Sequence, residues 1–307
     1  MRLSYKMKKY NLYQIDSFTT EKFTGNPAGV ITNAEGLKES DMQMIAREMN
    51  NSETAFIFPS NAADHDVQVR FFTPRTEVPM CGHATIAAHY ARAIENNLPT
   101  TRIIQKVKAG NLPVDIIRED NDYEIVMTQG EIEFATPFGK DITDKICEAL
   151  KITPDDLLEN VPVQIVSTGH SKIMICIKSY GKLKNIEPDY AKLTDISQEV
   201  GCNGYFVFTK DTPDPKYFIN ARMFGPAMGI NEDPVNGSSG GALGAYLIKH
   251  QLISSEKNQL KFKVRQGFSV GRAGLVEVIM DLDKNGQPLL GKIMGKAVIV
   301  FKTTIQI

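Results

Sequence analysis

Only four cysteines occur in the 307 residues, Cys81, Cys147, Cys176 and Cys202, and none stands in CxxC spacing. So few thiols, in a chain long enough to build its own core, argue against a disulfide framework and for a reducing cytoplasm. Long apolar runs are absent too: the stretches at 173–177 and 297–301 fall far short of the roughly 18 to 20 residues of a membrane span. The opening MRLSYKMKKYNLYQIDSF is basic but leads into no apolar core with a small-residue cleavage site, so no secretory leader is expected. Neither charge is in excess. Lys plus Arg number 35 against 36 Asp plus Glu, a net charge of −1, which supplies no basic field for nucleic acid or an anionic membrane. No GxGxxG follows a first strand, no phosphate loop occurs, since residues 237–244 are glycine-rich but lack the Lys, and no GxSxG elbow is present. Hydride, ATP or pyridoxal chemistry would have to build its site without the usual motifs, so proton chemistry without a cofactor is expected.

What is present is ordinary globular material, 42% apolar and 23% charged, in a length that suits two domains. The two halves are related. Gln14-Ile15-Asp16-Ser17 recurs as Gln164-Ile165-Val166-Ser167, and Phe56-Ile57-Phe58 as Phe206-Val207-Phe208, both at a separation of 150. Arg70-Phe71-Phe72-Thr73-Pro74 matches Arg222-Met223-Phe224-Gly225-Pro226 at 152, Glu77-Val78-Pro79 matches Glu232-Asp233-Pro234 at 155, and Gly110 matches Gly267 at 157. The matches keep their order while the separation only grows, as small insertions would make it. A duplicated unit of roughly 120 to 150 residues follows, with halves expected at 1–128 and 129–291 and the last segment, 292–307, placed to pack back on the first.

Short β-branched and aromatic runs at 67–72, 116–117, 124–127, 172–178, 205–208 and 276–280 read as strands bounded by Gly, Pro and Asn. Each half also has one stretch of helical period, 84–96 and 240–251, the second rich in small residues that let strands enclose a helix closely. Residues 38–50 and 143–150 read as peripheral helices. The class is α+β: two similar domains around a pseudo-twofold axis, each a strongly curved mixed sheet wrapped on a central helix.

The segments entering the two central helices, Pro79-Met80-Cys81-Gly82-His83-Ala84-Thr85 and Asp233-Pro234-Val235-Asn236-Gly237-Ser238-Ser239-Gly240, combine glycine with polar side chains. There a helix leaves its first N–H groups unpaired, and those donors with the positive end of the dipole attract anions. Facing each other, two such ends suit a small carboxylate substrate; plain capping by Ser238 or Thr85 is the alternative. The duplication supplies a control, because matched residues can be architectural. Glu53 corresponds to Asn203 and Asp233 to Val78, so each carboxylate exists once, whereas Glu77 and Glu232 are matched and read as structural. Glu53 stands just before an apolar run, where it is either a proton shuttle or a capping or salt-bridged acid. His83 corresponds to Ser238. His89 is six residues on, about 240° round the helix, so it does not join His83 as a metal face, and no metal is expected. Cys81 is the one cysteine placed for chemistry, and its match is Asn236 rather than a second thiol.

The segments QIDSFTTEKFTGNPAGVI, NNSETAFIF, VRFFTPRTEVPMCGHATIAAHYA and NEDPVNGSSGGALGAYL resemble the phenazine-biosynthesis PhzF-like isomerase family, within the diaminopimelate-epimerase-like superfamily. The resemblance runs in order over nearly the whole chain. It implies a homodimer and a cofactor-independent isomerase whose active site lies between the halves. It makes Glu53, in the SET segment, the acid/base that moves a proton, with His83, Asp233 and Ser238 lining the site and Asn26, Cys81 and the backbone at Gly82 and Gly237 as substrate contacts. Amino-acid racemases of the superfamily pair two cysteines, one per half, and the single Cys81 disfavours that mechanism. Three readings stand: an isomerase acting on a small carboxylate through Glu53, an amino-acid epimerase using Cys81, or a small-acid binding protein without catalysis.

Overall fold

The computed structural model describes residues 7–215, 217–255 and 257–307. The chain divides into two compact units, one running to Met127 and taking up Gly295–Ile307, the other Thr128–Met294. The first contains β1 (Lys9–Ser17), β2 (Asn26–Ile31), α1 (Glu39–Met49), β3 (Glu53–Pro59), β4 (Val67–Phe72), β5 (Glu77–Val78), α2 (Gly82–Asn96), β6 (Thr101–Val107), β7 (Gly110–Glu119) and β8 (Asp122–Thr128). The second contains β9 (Glu133–Phe134), α3 (Lys140–Leu150), β10 (Gln164–Ser167), β11 (Lys172–Cys176), α4 (Tyr180–Lys184), α5 (Tyr190–Val200) and β12 (Tyr205–Thr209). It continues through β13 (Ile219–Gly225), β14 (Ile230–Asp233), α6 (Ser239–Lys249), β15 (Gln259–Gln266), β16 (Gly274–Leu282) and β17 (Pro288–Gly295). A final strand, β18 (Ala297–Gln306), pairs antiparallel with β1. No helix among the described residues is long and apolar enough to cross a membrane.

The two units repeat one topology. In the first, β1 and β2 are antiparallel, β2 and β3 parallel, β3 and β4 antiparallel, β4 and β6 parallel, and β6, β7 and β8 antiparallel, with the short β5 on β4. In the second, β10 to β17 reproduce the series term by term, the parallel steps falling at β11/β12 and β13/β15. The repeat seen in the sequence is therefore a repeat of strand pairing. Its matched residues do matched work: Arg70 Nε donates to Glu77 Oε1 at 2.8 Å and its guanidinium lies 5.1 Å from the Phe72 ring, while Arg222 Nε donates to Glu232 Oε1 at 2.9 Å and stacks 4.9 Å from Phe224.

In each unit the strands curve round one helix. α2 packs on β1, β2, β3, β7 and β18, and α6 on β10, β11 and β16. Every residue of α6 from Ser239 to Ile248 is buried, which fits a sequence with no polar face. Its glycines set the spacing: a Cβ at Gly240 would lie 2.8 Å from Ile293 Cγ2 and 3.0 Å from Val278 Cγ2, so only a glycine lets β16 and β17 come this close. The helices at 84–96 and 240–251 begin slightly earlier than their periodicity suggests, and α3 begins at Lys140 rather than 143. Helices α4 and α5 add to the elements expected from the sequence; Asp189 Oδ1 accepts Lys192 N–H at the start of α5 and Gly201, at φ 70°, ends it.

Two expectations follow from this architecture. The Arg222–Glu232 pair is buried, each side chain 6% exposed, whereas Arg70 and Glu77 are 23% and 17% exposed and Arg70 also holds Glu39. Glu232→Ala therefore strands a desolvated guanidinium and is expected to cost about 3–5 kcal/mol, against about 1 kcal/mol or less for Glu77→Ala, as read from denaturant midpoints. Equal losses would contradict the difference in burial. Separately, burial pulls the His89 imidazole down from its ordinary 6.5 to about 4, with its Nε2 bonded to Gln105 Oε1 at 2.9 Å. Between those two values the unfolded chain takes up a proton that the folded chain refuses, so stability falls as pH drops from 6.5 towards 4. His89→Gln is expected to flatten that fall by up to about 3 kcal/mol; an unchanged slope would show that His89 does not set it.

Candidate active site

In the first unit the site grows from the start of α2. Cys81, extended at φ −144° and ψ 124°, precedes the helix, and its carbonyl accepts Thr85 N–H at 3.0 Å and Thr85 Oγ1 at 2.7 Å. The end of β1 fixes the next turn, because Ser17 Oγ donates to the His83 carbonyl at 2.8 Å. Asn26, buried at the first position of β2, sits opposite Ser17 in the ladder. Parallel pairing then sets Glu53, the first residue of β3, beside Ala28 of β2. Two segments thirty residues apart in sequence meet in this way.

Their side chains make one cluster. His83 Nε2 lies 3.3 Å from Glu53 Oε2 and 3.2 Å from Ser52 Oγ, and its Nδ1 lies 3.4 Å from Cys81 Sγ. Cys81 and His83 are buried and Glu53 is nearly so, its side chain 13% exposed. Glu53 Oε2 has no hydrogen-bond donor aimed at it among the described residues, since the imidazole is close without being aligned. A buried carboxylate oxygen in that position has a lone pair to spare for a proton. No side chain caps α2, whose first turn begins at Gly82; its leading amides have no carbonyl one turn earlier to bond.

The start of α6, in the second unit, is built differently. Asn236 Oδ1 accepts Ser239 N–H at 2.9 Å, Ser238 Oγ at 2.9 Å and Ser239 Oγ at 2.7 Å, while its Nδ2 donates to Asp233 Oδ2 at 2.7 Å. Gln266 holds the Asn236 backbone on both sides, accepting its N–H at 3.0 Å and donating to its carbonyl at 3.2 Å. Gly237 offers its carbonyl to Gly240 N–H, and the Ser238 carbonyl accepts Gln129 Nε2 at 2.8 Å. Neither Ser238 nor Thr85 caps a helix by accepting an amide, as the alternative reading had them; Asn236 does so for α6, and both hydroxyls act as donors. The two helix starts are matched in sequence but not in satisfaction, one capped by its own loop and one uncapped.

Sequence reasoning missed three residues here. Ser52 was hidden beside the more conspicuous Glu53. Asn236 was read only as the absent partner of Cys81, although an Asn three residues before a helical Ser-Gly is itself a capping signal. Lys172 opens an apolar strand run, yet it is 5% exposed in the second unit, where burial pulls its ammonium below the ordinary lysine range. The other cysteines are core thiols: burial raises Cys147 to about 11 and Cys176 to about 12. His89 is bonded to Gln105 away from this cluster, and the donor atoms of Glu53, Cys81 and His83 all lie within 4.8 Å of one another.

Comparison with known proteins finds matches over nearly the whole chain. The model of the Phenazine biosynthesis-like protein family matches residues 15–303. A relative in Clostridium acetobutylicum, named an uncharacterized isomerase, is 57% identical over 97% of this chain and 99% of its own. The structure is similar to that of a PhzF-family phenazine biosynthesis protein of Bacillus anthracis, at a TM-score of 0.87 and 28% identity, covering 98% of this chain and all of that one. A hydroxyproline epimerase from Agrobacterium vitis shares the fold at a TM-score of 0.62 and 9% identity, covering all of this chain and 94% of that one. The duplicated strand topology, the enclosed helices and these matches together place the chain in the phenazine biosynthesis-like protein family.

Proposed function

We propose that this protein is a cofactor-independent isomerase that moves a proton within a small carboxylate-bearing substrate, with Glu53 as the acid/base. The observation that carries the proposal is Glu53 Oε2, buried, without a donor and 3.3 Å from His83 Nε2 beside the uncapped start of α2. In the forward step the Glu53 carboxylate takes a proton from a carbon next to a carboxyl or unsaturated group. The C–H bond breaks, an O–H bond forms on Glu53, and the electron pair spreads into the conjugated system. Glu53 then returns the proton to a different carbon. The positive end of α2, with the amides at Gly82 and His83, stabilises the substrate carboxylate and the charge that develops. His83, 3.3 Å from Glu53, lines the site in the same unit, and Asn26, at the first position of β2, orients the substrate.

The test is incubation with a pool of small carboxylates in deuterated water, reading mass shifts and new isomers, followed by Glu53→Gln on the substrate found. Removal of a general acid/base is expected to slow turnover by about 10² to 10⁴. Undiminished turnover by Glu53→Gln would refute the proposal.

The 3.4 Å approach of Cys81 Sγ to His83 Nδ1 favours a second reading, in which the thiol is the acid/base of an amino-acid epimerase. On that reading deuterium enters at a Cα with inversion and Cys81→Ala abolishes it. On the main reading Cys81→Ala, which removes only a contact, is expected to keep most of the exchange. Tight binding of an acid with no exchange over a long incubation would instead identify a binding protein.

A further inference from the structure

We propose a second ligand site in the first unit, a pocket for the oxyanion group of a small organic molecule at the far end of α2, anchored by Arg92. A cavity of about 600 Å³ lies there, bounded by the start of β1, the residues after β2, the end of β3, the start of β4 and the last turns of α2. Cavities that hold small organic ligands commonly run from about 300 to 1,000 Å³. Ile57, Phe58 and Pro59 give it apolar surface, and Lys8, Lys9 and Arg92 give it positive charge. The Arg92 guanidinium makes no hydrogen bond and no ion pair among the described residues, and its Nη1 is buried. A desolvated donor without an acceptor costs free energy that an incoming oxygen can recover. Its buried neighbour one turn earlier does not take up its donors, since His89 Nε2 is bonded to Gln105 Oε1 at 2.9 Å and Nδ1 has no partner.

The two acids of the cavity do not fill that role. Asp66, whose charge reaches Arg92, is turned to the backbone, its Oδ2 accepting Ile104 N–H at 2.7 Å. Glu95 is matched already: its Oε1 accepts Asn11 Nδ2 at 2.7 Å and Tyr13 Oη at 2.9 Å and lies 3.6 Å from Lys302 Nζ. Lys9 makes no ion pair among the described residues, and Lys8 donates to a neutral group, the Glu35 carbonyl. Three cations therefore share the cavity with two carboxylates, one of which is held by a fourth cation, so this pocket is positive in a chain of net charge −1. The ligand that fits is an organic anion with a phosphate or carboxylate head. The guanidinium fork gives that head two parallel N–H···O bonds, the lysines add charge, and the body of the molecule covers the apolar wall. Arg92 stands nine residues along α2 from His83, about 14 Å, so the pocket is separate from the Glu53 cluster and does not rest on the acid/base reading.

The experiment is calorimetric titration of the full chain, at fixed ionic strength, with phenyl phosphate and separately with phenylacetate. One equivalent is expected to bind. Arg92→Gln is expected to weaken binding at least tenfold, Arg92→Lys less because it keeps the charge and loses the fork, and Lys9→Gln only about two- to threefold because that ammonium is exposed. Glu53→Gln is expected to leave binding unchanged. Arginine labelling by phenylglyoxal, mapped by peptide mass, reads the native protein without any substitution: the ligand is expected to slow labelling of Arg92 at least fivefold and to leave the exposed Arg47 unaffected. Binding of phenyl phosphate alone assigns the pocket to phosphate esters, of phenylacetate alone to carboxylates, and of both to either head. Failure of both to bind, labelling of Arg92 that neither slows, or binding that survives Arg92→Gln and is lost in Glu53→Gln would overturn the site; the last result would place the anion at the start of α2 instead.

Discussion

A helix with no polar face has to be enclosed on every side, and that requirement organises both halves of this protein. α6 buries all of its residues from Ser239 to Ile248, and α2 buries His83 through Ala91. An open two-layer sandwich would leave one flank of such a helix in water, whereas a sheet that curves round it does not. Once the helix is inside, its start lies among strand ends. That is why Cys81 and His83 meet the start of β3, and why Ser17 at the end of β1 bonds the helix backbone. The polar residues around Glu53 are brought together by apolar enclosure, and the protein tolerates a nearly buried carboxylate there because the surrounding frame is held by backbone bonds that do not involve it.

Duplication then separates architecture from chemistry. The paired Arg70–Glu77 and Arg222–Glu232 contacts, each with its phenylalanine stack, recur because both halves need the same corner between strands. The helix starts do not recur in kind. Asn236 turns the second into a self-satisfied cap, while Cys81 leaves the first without one. A cysteine at one matched position and an asparagine at the other thus leave the start of α2 without a side-chain cap and give the start of α6 one.

Much of this was legible in the sequence because it is local. Strand runs, the small residues of α6 and the ordered repeats depend on composition and spacing, and the repeated topology follows from them. Glu53 was legible for a subtler reason: its counterpart Asn203 is uncharged, so the shared frame does not explain it. The approach of His83 to Glu53 on one side and Cys81 on the other was not legible, since it depends on parallel pairing of β2 with β3 and on which way three side chains turn. Lys172 was invisible for a related reason, a polar head on an aliphatic stem that passes along a strand as one more apolar position.

Glu53 as the single group that removes and returns the proton is the central claim, and isotope tracing tests it most directly. A substrate carrying deuterium at the donor carbon is turned over once in ordinary water, and the label at the acceptor carbon of the product is measured by mass spectrometry. Because one nearly buried carboxyl carries the proton between the two carbons, part of the label is predicted to arrive at the acceptor carbon in the native protein. Complete loss of label, together with inversion at the donor carbon and its abolition by Cys81→Ala, would contradict the account and assign the chemistry to the thiol.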